Sequence, residues 1–258
     1  MDMVRRSVIM SEEIRADAIM DFLKPRMGAR FKMWLNICAH CGLCANTCHY
    51  YSANDNDPRM IPSFKVRFLK EILRKKGNVN RDYLQKVYDT VYYECNMCRR
   101  CTLYCPFGID IALMISLLRG LLFSQGIAPE GLLRAIENYK GFGNQMAVTD
   151  ENWVETIEWC EEETAEELKG LKIPIDKKGA KILYTVNARE PMFYPQDMME
   201  AAKIFHLAGE DYTYCSKPGW DDTNLSMFCG DLKTSRMIVE NTFKRAEELE
   251  VQQVAITE

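Results

Sequence analysis

No apolar run in this sequence approaches the roughly 20 residues that a membrane-spanning helix requires. The longest candidate, residues 109–123, is interrupted by Asp110 and Arg119. Excess positive charge is missing too: the net charge is −4, so nothing general points to nucleic acid as a partner. There is no Walker loop, no GxGxxG and no HExxH. The segment GFGNQM (141–146) lacks the third glycine of a dinucleotide fingerprint and follows no strand, so no flavin or nicotinamide site is visible. The apolar stretch near the N-terminus is too short for a secretory signal and runs at once into acids, so a cytoplasmic protein is expected.

What is present is cysteine. The chain has 258 residues, 47% hydrophobic and 27% charged, enough for one large globular domain or two modest ones. Eleven cysteines are many for such a chain, and the number is odd. Disulfide frameworks belong to small secreted domains, which this is not. Eight of the cysteines fall in two tight groups, and that pattern points to metal.

Residues 11–24 read as an amphipathic helix with Ser11 as N-cap and Pro25 just past its end. The first cysteine group follows. A helix is expected from Pro62 to Gly77, with apolar Phe64, Val66, Phe68, Leu69, Ile72 and Leu73 among Lys65, Arg67, Lys70, Arg74, Lys75 and Lys76. A second, over 81–93, leads into the second cysteine group. Further helices are expected near 110–124 and 128–139, and a strongly acidic one over 150–169. After Pro174 the character changes. Strand, helix, strand, helix, strand over 178–258 is the pattern of a parallel α/β unit. A boundary is therefore expected near residue 177, with residues 1–176 helical and 177–258 α/β.

Cys38, Cys41, Cys44, Cys48 and Cys95, Cys98, Cys101, Cys105 both read C-x2-C-x2-C-x3-C. Two-residue gaps let three thiolates on one tight loop face three irons of a cubane, while the displaced fourth begins the next helix. In two-cluster ferredoxins that fourth cysteine serves the other cluster. The expected cofactors are thus two 4Fe-4S clusters. Cys38, Cys41, Cys44 and Cys105 hold the first, and Cys95, Cys98, Cys101 and Cys48 the second. Zinc, the alternative, is usually held by cysteine pairs separated by a longer loop. Gly42 allows close backbone approach. Arg99 and Arg100 either favour the reduced state of the neighbouring cluster or are solvated surface arginines.

The segments CAHCGLCANTCHYYSANDNDPRMIPSFKVRFLKEIL and CNMCRRCTLYCPFGID resemble the D-type iron–sulfur proteins of the heterodisulfide reductase family. Within that family they look closest to the DsrK-type protein of the membrane complex associated with dissimilatory sulfite reductase. The resemblance covers residues 30–125 well and the rest more loosely. It implies an α-helical ferredoxin domain with two cubane clusters, followed by part of a parallel α/β domain of the Cys-Cys-Gly type. It also implies an electron-transfer subunit of an oxidoreductase complex, working toward a disulfide- or trisulfide-type substrate. The implied partners are a membrane cytochrome b-type subunit, other redox subunits and a sulfur-carrier protein, with the chain peripheral on the cytoplasmic face of the membrane. Val186 and Asn187 stand where the family has Gly-Cys, and Phe228, Cys229, Gly230 where it has Cys-Cys-Gly. A sheet ending on a bare strand at Glu258 leads us to expect an incomplete chain. No catalytic residue is identified.

Two other functions remain open on sequence alone. One is the iron–sulfur subunit of a flavin-linked hydroxy-acid or glycerol-3-phosphate dehydrogenase; the other is a zinc-stabilised interaction module without catalysis. Cys160, Cys215 and Cys229 read as packing thiols, Cys229 with a ligand role as its alternative. His40 and His49 flank ligands and either hydrogen-bond to them or are simply exposed; His206 has no expected role. The acidic helix and the 65–76 basic run are solvated faces unless they meet a basic partner, an acidic one or anionic lipid.

Overall fold

Apolar residues recurring at three- and four-residue spacing make most of this chain helical. A computed structural model describes residues 7–9 and 14–257, so Ser11 and its expected cap lie outside the described residues. Contacts divide the chain into two units. One is Met1–Glu130 with Met227–Asp231, the other Gly131–Ser226 with Leu232–Glu258.

The first unit opens with β1 (Ser7–Ile9), antiparallel to β2 (Ile127–Pro129). Between them run α1 (Ala16–Leu23), α2 (Ala29–Ile37), α3 (Leu43–Asn46), α4 (His49–Ala53), α5 (Pro62–Lys65) and α6 (Arg67–Arg74). Then come α7 (Arg81–Tyr88), α8 (Arg100–Leu103) and α9 (Ile111–Ser124). The helix expected over 62–77 is two helices, because Val66 adopts φ −78°, ψ −7° between α5 and α6. The expected 81–93 helix keeps its extent but widens into a π-turn over Asp89–Tyr93, immediately before Cys95. The core gathers Ile19, Leu23, Leu69, Ile72, Leu84 and Met114. α9 is its axis: nearly all apolar, it is buried on most of its surface. Its one charge, Arg119, is buried too.

The second unit takes in most of α10 (Glu130–Phe142), then α11 (Asp150–Glu167), β3 (Ile182–Tyr184), α12 (Arg189–Phe193) and α13 (Pro195–Ala208). β4 (Tyr212–Thr213), α14 (Leu225–Cys229), α15 (Leu232–Glu248) and β5 (Gln253–Ala255) complete the chain, with Met227–Cys229 counted in the first unit. The strands form a small parallel sheet in the order β4-β3-β5, extended by bridges Ile175↔Tyr214 and Val186↔Asp221. α11 buries Trp153, Ile157, Cys160 and Thr164, one side of the helix, and leaves most of its acids outward. Trp153 stacks on Trp220 at 4.2 Å and donates to the Cys215 carbonyl at 2.8 Å. Cys160 and Cys215 are therefore packed in this apolar core. The change of composition near residue 177 falls between α11 and β3. Among the described residues no helix is long and apolar enough to cross a membrane.

Candidate functional site

Both cysteine groups sit where a helix ends and a short one begins. Cys38 caps α2, Cys44 lies in α3 and Cys48 caps the start of α4. In the second group Cys95 follows the π-turn, Cys101 lies in α8 and Cys105 follows it. The loops repeat in backbone as well as in sequence. The second and fourth residues after the first cysteine are left-handed in each: His40 (φ 53°) and Gly42 (φ 80°), then Met97 (φ 57°) and Arg99 (φ 63°). Two such residues curl the seven-residue C-x2-C-x2-C stretch, a backbone form whose amides can turn toward a concavity. The Met97 amide reaches the Cys95 sulfur at 3.4 Å.

Asp110 ties the second loop down. It caps α9 by accepting from the Leu113 amide at 3.0 Å, and it accepts from Thr102 Oγ1 at 3.1 Å and Arg99 Nη2 at 2.8 Å. Arg99 is thus held by a carboxylate, although its side chain remains largely exposed.

The eight cysteines line two cavities, and each cavity mixes the two sequence groups. Cys38, Cys41 and Cys44 share one with Cys105. Cys95, Cys98 and Cys101 share the other with Cys48. Ile111 borders both. Burial pushes the Cys101 thiol up to about 12, with further contributions from Cys95 and then Cys44 across the gap between cavities. Burial likewise raises Cys95. Such thiols are neutral until a metal centre binds them as thiolates and releases their protons. Sulfur-only donors in rings of four suit an iron–sulfur cluster or zinc. Among the described residues no three His, Cys, Asp or Glu side chains stand close enough to hold a single metal ion.

Two buried cations accompany the second cavity, and neither was assigned to it from the sequence. Lys65, part of what reads as a solvated basic run, is 2% exposed and donates to the Glu94 carbonyl beside Cys95. Arg119 is 3% exposed. It donates to the carbonyls of Val91 (2.7 and 2.9 Å), Cys95 (2.5 Å) and Phe228 (2.9 Å). The signal for Arg119 was a lone charge inside an apolar helix, which needs a buried partner.

Cys229 is fully buried in the first unit, and its carbonyl accepts from Tyr92 Oη at 2.7 Å. Gly230 has φ 95°, and a Cβ there would lie 2.6 Å from the Gly120 nitrogen and the Arg119 carbonyl carbon. Where the Gly-Cys was expected, after β3, the second unit places a carboxylate. Asp221 accepts from the amides of Gln145 (2.8 Å), Thr223 (3.1 Å) and Ala188 (3.2 Å). Asn187 Oδ1 accepts from Gln145 Nε2 at 3.0 Å and from the Arg189 amide at 2.9 Å. Neither Asp221 nor this network was foreseen.

Residues 34–109 match the family model of the 4Fe-4S dicluster domain. The chain is 29% identical to the Hdr-like menaquinol oxidoreductase iron-sulfur subunit 2 of Archaeoglobus fulgidus, over 93% of its own length and 46% of that protein's. It is 27% identical to the corresponding iron-sulfur subunit of Archaeoglobus profundus over the same shares. A shorter stretch, 47% of the chain, is 25% identical to the D-type subunit of the dihydromethanophenazine:CoB--CoM heterodisulfide reductase of Methanosarcina mazei, covering 33% of it. The chain spans less than half the length of these curated relatives. None of the three is named as a DsrK-type protein. No solved structure matches. The chain thus carries a 4Fe-4S dicluster domain and is similar to iron–sulfur subunits of heterodisulfide-reductase-like oxidoreductases.

Proposed function

We propose that this chain is an electron-transfer iron–sulfur subunit of a heterodisulfide-reductase-like oxidoreductase complex. In this reading Cys38, Cys41, Cys44 and Cys105 hold one 4Fe-4S cluster and Cys95, Cys98, Cys101 and Cys48 a second. The observation that carries it is the lining of the two cavities: each takes three cysteines from one sequence group and its fourth from the other. When bound, the pair would supply one-electron transfer over a short distance through protein. The chain's own work is to fix that spacing, with Ile111 between the rings, and to tune each side. Asp110 holds the second loop through Arg99 and Thr102, and the Met97 amide donates to the Cys95 sulfur, a bond type that raises cluster potential.

In the finer reading, residues 1–176 form an α-helical ferredoxin domain with helical extensions. Residues 177–258 then form the first half of a Cys-Cys-Gly-type α/β domain. Val186 and Asn187 after β3, and buried Cys160 and Cys215, support placing the redox work in the dicluster domain rather than at that sheet edge. The partners proposed are a membrane cytochrome b-type subunit, which would hold the chain at the cytoplasmic face, other redox subunits and a sulfur-carrier protein. The terminal substrate proposed is a disulfide or trisulfide, as for a DsrK-type protein.

The test is iron and acid-labile sulfide analysis of anaerobically purified protein. About eight of each per chain, with broad absorbance near ~400 nm, is expected for two cubanes. A colourless protein holding zinc would refute the reading.

A further inference from the structure

The two cavities differ in charge. Among the described residues, the first cavity's lining holds no lysine, arginine, aspartate or glutamate. The second is lined by Lys65, Arg99, Arg100 and Glu94, and Arg119 grips the Cys95 carbonyl behind it. Lys65 and Arg119 are buried, and neutral groups satisfy them. Arg119 holds three backbone carbonyls; Lys65 holds the Glu94 carbonyl and lies 5.1 Å from the centroid of the Tyr50 ring.

A buried cation bonded to neutral acceptors keeps its field, whereas water and salt screen exposed ones. Arg99 and Arg100 are exposed, as are Arg67, Lys70 and Arg74, which line a groove that Cys38 and His40 also line. Glu94 is only half-buried, so its carboxylate is better solvated than the buried Lys65 and Arg119. The asymmetry that survives screening is therefore Lys65 and Arg119, both on one side.

We propose that Lys65 and Arg119 set the order of reduction within the pair, making the centre held by Cys48, Cys95, Cys98 and Cys101 the more easily reduced. They stabilise the extra negative charge that reduction places there. One electron is given up on the first side and one taken up on the second, with no bond made or broken. With both centres bound, an electron entering at the Cys38 side would move downhill toward Cys95. The inference rests on the crossed ligand sets proposed above.

The test is an anaerobic reductive titration of the full, cluster-loaded chain followed by electron paramagnetic resonance. Cys98→Ser and Cys48→Ser identify the second centre's signal. At half reduction that signal should exceed the other about tenfold. Arg119→Gln and Lys65→Gln should each lower that ratio about threefold, which at half reduction is a loss of about 59 mV from the difference between the two one-electron potentials. Arg119→Lys keeps the charge but loses the guanidinium fork, so it should hold the wild-type partition even if it is less stable, which a packing role would not explain. An equal or reversed partition in the wild type overturns the inference, and needs no variant to fold. So does an unchanged partition in either neutral variant that loads both centres. If Cys98→Ser and Cys48→Ser alter different signals, the ligand reading fails instead, whatever the potentials.

Discussion

Arg119 Nη2 donates to the carbonyl of Cys95 at 2.5 Å, joining the middle of α9 to the first cysteine of the second group. The same guanidinium reaches Val91 and Phe228, so one side chain fastens the π-turn, the loop and the 227–231 segment together.

Replacing Arg119 by Met should therefore cost stability beyond the loss of a charge. The carbonyls of Val91, Cys95 and Phe228 would lose a buried donor, at about 1–3 kcal/mol for each group left unsatisfied. A loss of roughly 3 kcal/mol or more is expected in chemical denaturation of the loaded protein, partly recovered in Arg119→Lys. A denaturation midpoint equal to wild type in Arg119→Met would show that these bonds are not made.

Gly230→Ala should be comparably damaging from a single methyl group. The residue is left-handed, and the new Cβ would meet backbone of α9 that cannot swing aside. Backbone strain and overpacking each cost about 1–3 kcal/mol, so roughly 3 kcal/mol is expected. Gly170→Ala is a control: its φ is 88°, but nothing lies within 4 Å of the added carbon. It should lose only the strain portion. Equal losses in the two variants would argue against close approach of Gly230 to α9.

Asp221 gives the second unit a pH dependence. Burial raises its carboxyl to about 6 from 3.8, against the opposing bonds from the Gln145, Thr223 and Ala188 amides. Between these values the folded state binds more protons than the unfolded one. The stabilising contribution of this group is thus present below about pH 4 and is lost as pH rises through about 6. Asp221→Asn should remove that downward component from the stability-versus-pH curve. The two curves should diverge between about pH 4 and 6 and run parallel above it; parallel curves throughout would mean that the carboxyl titrates normally.

The cysteine spacing made the candidate site legible, because ligand geometry forces those residues onto short loops whatever surrounds them. The small parallel sheet was legible from the alternation of strands and helices after residue 178. Lys65 was not. It sits in a run of lysines and arginines that reads as a wet helix face, and only the break at Val66 and the packing of α5 turn it inward. Arg119 was visible as an interruption in an apolar stretch, but its partners lie 24 to 109 residues away in sequence. The pairing of β1 with β2 was hidden for the same reason: three-residue strands, far apart, leave no periodic signal. Asp221 and the bonds of Asn187 were missed because expectation at that edge was set on thiols.

The crossing of the two ligand sets is the centre of the account, and single-cysteine exchange tests it most directly. Cys105→Ser should perturb the electron paramagnetic resonance signal that Cys41→Ser perturbs and leave the other unchanged. Cys48→Ser should pair in the same way with Cys98→Ser. If Cys105→Ser instead alters the signal that Cys98→Ser alters, each sequence group binds its own cluster and the crossed arrangement is wrong.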